Sequence, residues 1–244
     1  MGRLAVVLGS SALGPHGSEI AAAAAEHGAA IVQRHGGGAL PGSPGADAGP
    51  GPASLPDAPY RLPHRIDHEA NLRPLLEQGV DRVLAIGSVG SLRPELPVGT
   101  LVCPDDFIAL HAGPSIYDDP RAHSAPGFSP AWRQELIDAW AAGGEAPRDG
   151  GVYWEARGPR FETPAEIRLI AAHADVVGMT IASECVIAGE LGLEYAALCV
   201  VDNMANGIGG ELDVEQMEAA RASNAERLRA GLAAVLPRLG AVGR

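Results

Sequence analysis

G-P-R-F-E-T-P-A-E-I-R at residues 158–168, A-D-V-V-G-M-T at 174–180 and A-A-L-C-V-V-D-N at 196–203 decide the fold. Thr163-Pro164-Ala165-Glu166 is a capping box with proline at the first helical position. A helix therefore starts here and runs to about His173, with Ile167, Leu169 and Ile170 as its apolar surface. Phe161 and Glu162 are left in the loop just before its N-terminus. Residues 175–180 read as a buried strand, 183–191 as a second helix ended by Gly192, and 195–202 as another strand. Strand, helix and strand predict a parallel, right-handed unit. Thr180 and Asn203 then stand at strand ends, where open α/β sheets hold their ligands.

A chain of 244 residues accommodates one large α/β domain, and 46% hydrophobic with only 4% aromatic residues predicts a core of Ala, Val, Leu and Ile. The formal charge of -12 disfavours nucleic acid and anionic membrane as bulk partners, so any anion site has to be local. Cys103, Cys185 and Cys199 are odd in number, far apart and without C-x-x-C spacing, which suggests neither a disulfide framework nor a zinc site. The opening M-G-R-L-A-V-V-L-G reads as a short strand entering a turn, not as a signal peptide. No segment approaches a transmembrane span, and the cytoplasm is the expected location.

Residues 36–59 are crowded with Gly, Pro, Ala and Ser and hold almost no large apolar side chain. They read as a mobile surface insertion, with a lid over the adjoining site as the alternative. A helix begins near His68, and the run from Asp213 to Leu236 reads as a long, partly exposed helix closing the fold. Gly9-Ser10-Ser11-Ala12-Leu13-Gly14 superficially resembles a glycine-rich nucleotide loop. It lacks the Lys-Ser or Lys-Thr of a Walker loop, and Ser11 replaces the middle glycine of the dinucleotide fingerprint.

With V-L-G-S-S at 7–11, R-H-G at 34–36, L-P-H-R-I-D-H-E-A-N-L at 62–72 and G-S-V-G-S-L-R-P-E-L-P-V-G-T-L-V-C-P-D-D-F-I at 87–108, the opening motifs form an ordered set over most of the chain. The set resembles the trimeric purine nucleoside phosphorylases and methylthioadenosine phosphorylases. The resemblance implies one α/β domain over residues 1–244, with a mixed, largely parallel twisted sheet flanked by helices. It implies a homotrimer that transfers a ribosyl group from a purine to inorganic phosphate, the co-substrate, without metal or organic cofactor. The C1'–N9 bond then breaks through a species with oxocarbenium character, so the protein has to hold phosphate, stabilise the leaving base and align the sugar.

Phosphate candidates are Ser10 and Ser11, Arg34 and His35, Ser88, and Thr180: a charged fork and short hydroxyl donors around an anion. Serines after a first strand are often only turn formers. It is the match to the family's phosphate positions that singles out Ser11, Arg34 and Thr180. For the base, Phe161, Glu162 and Asn203 carry the reading. A 6-oxopurine presents N1–H as donor and O6 and N7 as acceptors, which an acid and an amide complement. In F-E-T with a following Asn the chain is similar to the 6-oxopurine phosphorylases, whereas methylthioadenosine phosphorylases tend to place serine and aspartate there. The bland alternatives are an acid near a helix N-terminus for Glu162 and a turn residue for Asn203. The ribose is expected near Met179, with Glu184 as partner for its hydroxyls or for the local backbone.

Some positions depart from the family. No histidine follows His173, where inosine-type relatives use one for the 5'-hydroxyl. Val214 and Met217 occupy that region and suit a 5'-methylthio group, so 5'-methylthioinosine and 5'-methylthioadenosine are the alternative substrates. D-N-M-A-N at 202–206 replaces a threonine-asparagine or threonine-aspartate turn, and Asn206 either shares base recognition or holds the turn. Arg157 stands where an acid or amide is common. His123 and Phe128 lie where these enzymes reach into a neighbouring site. A nucleoside hydrolase and a silent nucleoside-binding protein are the readings from other classes. An anion cradle of Arg34, Ser88 and Thr180 argues against the first, and the Glu162–Asn203 pair against the second.

Overall fold

The computed structural model describes residues 3–9, 17–36, 61–111 and 113–241. Ser10, Ser11 and nearly all of the 36–59 insertion lie outside the described residues. In chain order the elements are β1 (Arg3–Leu8), α1 (Gly17–Glu26), β2 (Ala30–Gln33), a 3-10 turn (Pro63–Arg65), α2 (His68–Glu77), β3 (Val80–Ser91), β4 (Leu101–Cys103) and β5 (Asp106–Ile108). A second 3-10 turn (Pro120–Ala122), α3 (Pro130–Ala142), β6 (Arg148–Asp149), β7 (Val152–Glu155), α4 (Pro164–Ile170), β8 (Val176–Gly178), α5 (Ile181–Glu190), β9 (Glu194–Met204) and α6 (Val214–Ala241) follow.

The nine strands among the described residues join one mixed, mostly parallel sheet. Its path runs β5-β7-β8-β3-β9-β4-β6, with β1 pairing both β2 and β3. Side chains alternate across it as the pleat demands. Ala5, Val7, Val83, Ala85, Ala197 and Cys199 face a layer holding α2 and α5. Leu4, Val6, Leu8, Leu84, Ile86 and Leu198 face the layer of α1, α3 and α6. This is the expected core of Ala, Val, Leu and Ile, joined on the second face by the buried Trp132 and Trp140. Cys103, Cys185 and Cys199 are free thiols inside it. No helix among the described residues is long and apolar enough to cross a membrane.

The capping box forms as expected. Thr163 Oγ1 accepts from the Glu166 N–H at 3.2 Å, and Glu166 Oε2 accepts from the Thr163 N–H at 2.7 Å. The helix ends at Ile170, earlier than expected. Ile167 and Ile170, one turn apart, are buried, whereas Leu169 points off that face and is 64% exposed. The C-terminal helix instead runs on past Pro237 to Ala241, where burial of Leu239 supports its last turn.

The parallel unit predicted from β8, α5 and β9 is not what forms. β8 pairs antiparallel with the far end of β3, through Gly90↔Val177 and Ser91↔Val176, while β9 pairs parallel along β3's other side from Arg82↔Glu194. Since β8 sits at one end of β3 and β9 begins at the other, α5 itself makes the descent, roughly 15 Å for ten residues. Sequence periodicity is blind to which strand lies between two others, and here β3 does.

A tight contact in the second layer provides a test. A Cβ on Gly231 of α6 would lie 2.4 Å from Trp140 Cζ3, and that indole is fully buried. Gly231→Ala is expected to lower stability by about 1–3 kcal/mol through overpacking, read as a lower urea midpoint at constant m. An unchanged midpoint would show that α3 and α6 separate freely.

Candidate active site

The carboxyl ends of β1, β2, β3 and β9 converge on one edge of the sheet, and a cavity of about 260 Å³ opens there. Gly9 follows β1, Arg34 and His35 follow β2, Ser88 and Gly90 belong to β3, and Asn203 to β9. Phe161 and Glu162 come from the loop before α4, and Met179 and Thr180 from the turn into α5. The structure thus gathers eight of the predicted residues on one cavity: Arg34, His35, Ser88, Phe161, Glu162, Met179, Thr180 and Asn203.

Arg34 is wholly buried. Its Nε and Nη2 donate to Glu184 Oε2 and Oε1 at 2.7 and 2.9 Å, and Nη1 donates to the Ile86 carbonyl at 2.9 Å. Three of the guanidinium's five N–H groups are thereby used, and two remain for a ligand. Gly9 permits this placement, because a Cβ there would stand 2.9 Å from Arg34 Nη1. Burial by itself would raise the Glu184 carboxyl, but the charge and hydrogen bonds of Arg34, helped by His68, hold it far below the usual carboxylate range. Glu184 also accepts from the Tyr195 hydroxyl at 2.8 Å and has no exposed surface. It is absent from the cavity wall, so the expected ribose partner is instead the counter-ion that orients Arg34.

Thr180 caps α5 without a side-chain cap bond, which leaves its hydroxyl to the cavity. The adjoining amides are already satisfied: Tyr153 Oη accepts from Thr180 and Ile181 N–H at 3.2 and 3.3 Å, and Glu155 Oε2 accepts from Ser183 N–H at 3.0 Å. His35 Nδ1 lies 2.7 Å from the Arg61 carbonyl, and burial lowers the imidazole's pKa. Ser88 donates its hydroxyl proton to Asp202.

Asn203 Nδ2 donates to the Met204 carbonyl at 2.9 Å, which leaves its second N–H and its Oδ1 for a ligand. Burial raises the pKa of Glu162. Asn206 holds the turn: its Nδ2 donates to the Glu162 carbonyl at 3.1 Å, and its Oδ1 accepts from Leu212 N–H at 3.4 Å. Arg160 forks onto Glu166 at 2.7 and 2.8 Å, pinning the segment that carries Phe161 and Glu162.

The expected 5' residues lie elsewhere. Val214 is 54% exposed, and Met217 lines a neighbouring cavity that shares Asn203 and Leu212 with this one. Leu212 and Arg221 line the cavity in their place. Arg221 escaped notice because it carries no local signal within a long, partly exposed helix. His123 is exposed and off the cavity wall, and Phe128 is core, stacked on Tyr195 at 6.1 Å between centroids. Arg157 faces a separate cleft beside Glu155 and Leu169.

A three-layer fold whose one cavity is lined by a buried arginine, two hydroxyls, an acid and an amide is the setting in which the family is found. The sequence pattern of the phosphorylase superfamily matches residues 6–237, and the chain belongs to that superfamily. A probable 6-oxopurine nucleoside phosphorylase of Archaeoglobus fulgidus is 47% identical over 147 residues, covering 60% of each chain. A probable S-methyl-5'-thioinosine phosphorylase of Pseudomonas syringae is 35% identical over 188 residues, 73% of this chain and 76% of the relative. The match thus spans about three fifths of the Archaeoglobus protein's length. Methylthioadenosine phosphorylase of Schistosoma mansoni bound to adenine superposes with a TM-score of 0.73 at 19% identity, covering 99% of this chain and 93% of that one, a likeness of fold.

Proposed function

We propose that the protein catalyses phosphorolysis of 6-oxopurine nucleosides to free purine and ribose 1-phosphate, with no cofactor beyond inorganic phosphate. The observation that carries the reading is the cavity's mixed chemistry: Arg34, Ser88 and Thr180 line the same cavity as Glu162 and Asn203. Phosphate at the first group and a 6-oxopurine at the second would leave the sugar near Met179. The named relatives support the same reaction class. Ser11, and Ser10 beside it, are further phosphate candidates on the strength of the family resemblance alone.

The decisive assay measures release of free purine from inosine, guanosine, adenosine and their 5'-methylthio analogues, with and without phosphate. Strict phosphate dependence is expected, and release at equal rate without phosphate would make the protein a hydrolase. The 5'-methylthioinosine reading is the second choice. It is favoured by Leu212 on the cavity wall and by the Pseudomonas relative's name.

The enzyme is further proposed to work as a homotrimer whose sites are completed across subunit boundaries, with His123 the residue offered to a neighbour. Leu110, 80% exposed, and Leu169 line a cleft next to Glu162, apolar surface that a second copy would cover. Light scattering should give three times the chain mass. A monomer with full activity would refute the assembly.

A further inference from the structure

We infer that Asp202 is a positioning residue for phosphate: in its protonated form it donates to Ser88, and this turns the Ser88 hydroxyl toward the bound anion. The inference rests on the phosphorolysis reading above. Asp202 belongs to β9 and is buried behind the cavity wall. Its Oδ1 accepts from Asn224 Nδ2 at 2.8 Å, so that oxygen is committed as an acceptor. Its Oδ2 accepts the Ser88 hydroxyl proton and lies 3.8 Å from Arg221 Nε. Arg221 in turn donates to Glu218 Oε1 at 2.7 Å, while its buried Nε has no hydrogen-bond partner. Ser88 from β3, with Asn224, Arg221 and Glu218 from α6, are the polar and charged groups packed on this carboxyl.

A serine hydroxyl has one proton. While that proton is on a carboxylate, Ser88 presents only lone pairs to the cavity, and the carboxylate adds a negative charge one residue behind an anion site. Taking up one proton from solvent at Oδ2 reverses the chain. Asp202 O–H then donates to Ser88 Oγ, and Ser88 O–H donates to phosphate. Burial raises the Asp202 pKa, against the opposing pull of Ser88, Asn224 and Arg221, so proton uptake falls nearer the working range than for an ordinary aspartate. An asparagine at 202 would carry the donor permanently, with its amide N–H on Ser88 and its carbonyl on Asn224.

The test is the phosphate KM of wild type and Asp202→Asn from pH 5 to pH 9, at saturating inosine. Phosphate's own ionisation, and that of His35, is common to both and cancels in the ratio. The ratio of wild-type to variant KM should grow by about tenfold or more as pH rises and Asp202 loses its proton, with the inosine KM little changed. A ratio constant with pH overturns the inference while leaving phosphorolysis intact. Phosphate-independent cleavage at every pH removes both. Ser88→Ala and Ser88→Ala/Asp202→Asn form a second pair. Their KM ratio should be flat, and a pH-dependent ratio without Ser88 would show that Asp202 acts by charge alone.

Discussion

Arg34→Ala is expected to destabilise the protein by about 3–5 kcal/mol, because it leaves the Glu184 carboxylate buried without its guanidinium, with only the His68 imidazole 3.7 Å away. Glu184→Gln should cost a similar amount from the other side, by leaving a buried guanidinium uncompensated. Arg34→Met combined with Glu184→Gln removes both charges and is expected to recover most of the loss, the usual behaviour of a buried ion pair replaced as a unit. Urea denaturation measures all three. The double variant also separates structure from function: folded, it should still bind inosine but show a phosphate KM raised at least tenfold. A charged hydrogen bond to an anion is worth roughly 1.5–3 kcal/mol. Unchanged phosphate dependence in the folded double variant would remove Arg34 from the anion site. The pair also sets an acid limit. The Glu184 carboxyl is depressed in the folded state, so its stabilisation is fully present above the ordinary value of 4.5 and is lost as pH falls through the folded value. The urea midpoint should therefore decline below about pH 4.5, and less steeply in the double variant.

Inosine and guanosine nucleosides are expected to outpace adenosine nucleosides by about a hundredfold or more in kcat/KM. Facing Glu162, adenosine presents a lone pair where a 6-oxopurine offers N1–H. Facing Asn203, it presents an amino group to the amide's remaining N–H. One buried mismatch costs roughly 1–3 kcal/mol, so two account for the factor. Asn203→Asp should narrow or reverse the preference, since aspartate accepts from the 6-amino group and, protonated, still donates to N7. Because Nδ2 already spends one N–H on the Met204 carbonyl, the amide bridges O6 and N7 together only by releasing that contact. Equal rates for 6-amino and 6-oxo substrates, or an unmoved ratio in the variant, would sink this assignment. Burial raises the Glu162 pKa, so the carboxylate that accepts N1–H is lost as pH falls through that raised value. The nucleoside KM should then climb on the acid side.

Local signals carried much of the architecture. The Thr163–Glu166 capping box placed α4 to the residue at its start, and short continuous apolar runs placed β1 and β9, because these patterns depend on neighbours in the chain. Glu162, Thr180 and Asn203 were legible as candidates because polar side chains at element ends have few structural tasks to absorb them, and they do line the cavity. What escaped were relations between distant segments. Glu184 read as a partner for the ribose hydroxyls or the local backbone, whereas Arg34, 150 residues earlier, claims both of its oxygens. Arg221 carries no local signal within a long, partly exposed helix, whereas the course of α6 brings it to the cavity wall.

The sequence by itself determined the class of fold, the elements around residues 158–203 and eight of the side chains that meet at the cavity. Period, cap and strand-end position placed the elements and the residues at their ends, while the resemblance to a family marked Arg34 and Ser88. Only the tertiary structure decided that β8 runs antiparallel to β3, that Glu184 neutralises Arg34 instead of meeting a sugar, and that Asp202 stands behind Ser88. A strand's direction and a buried acid's partner depend on which surfaces exclude water together, and that is settled when distant segments pack.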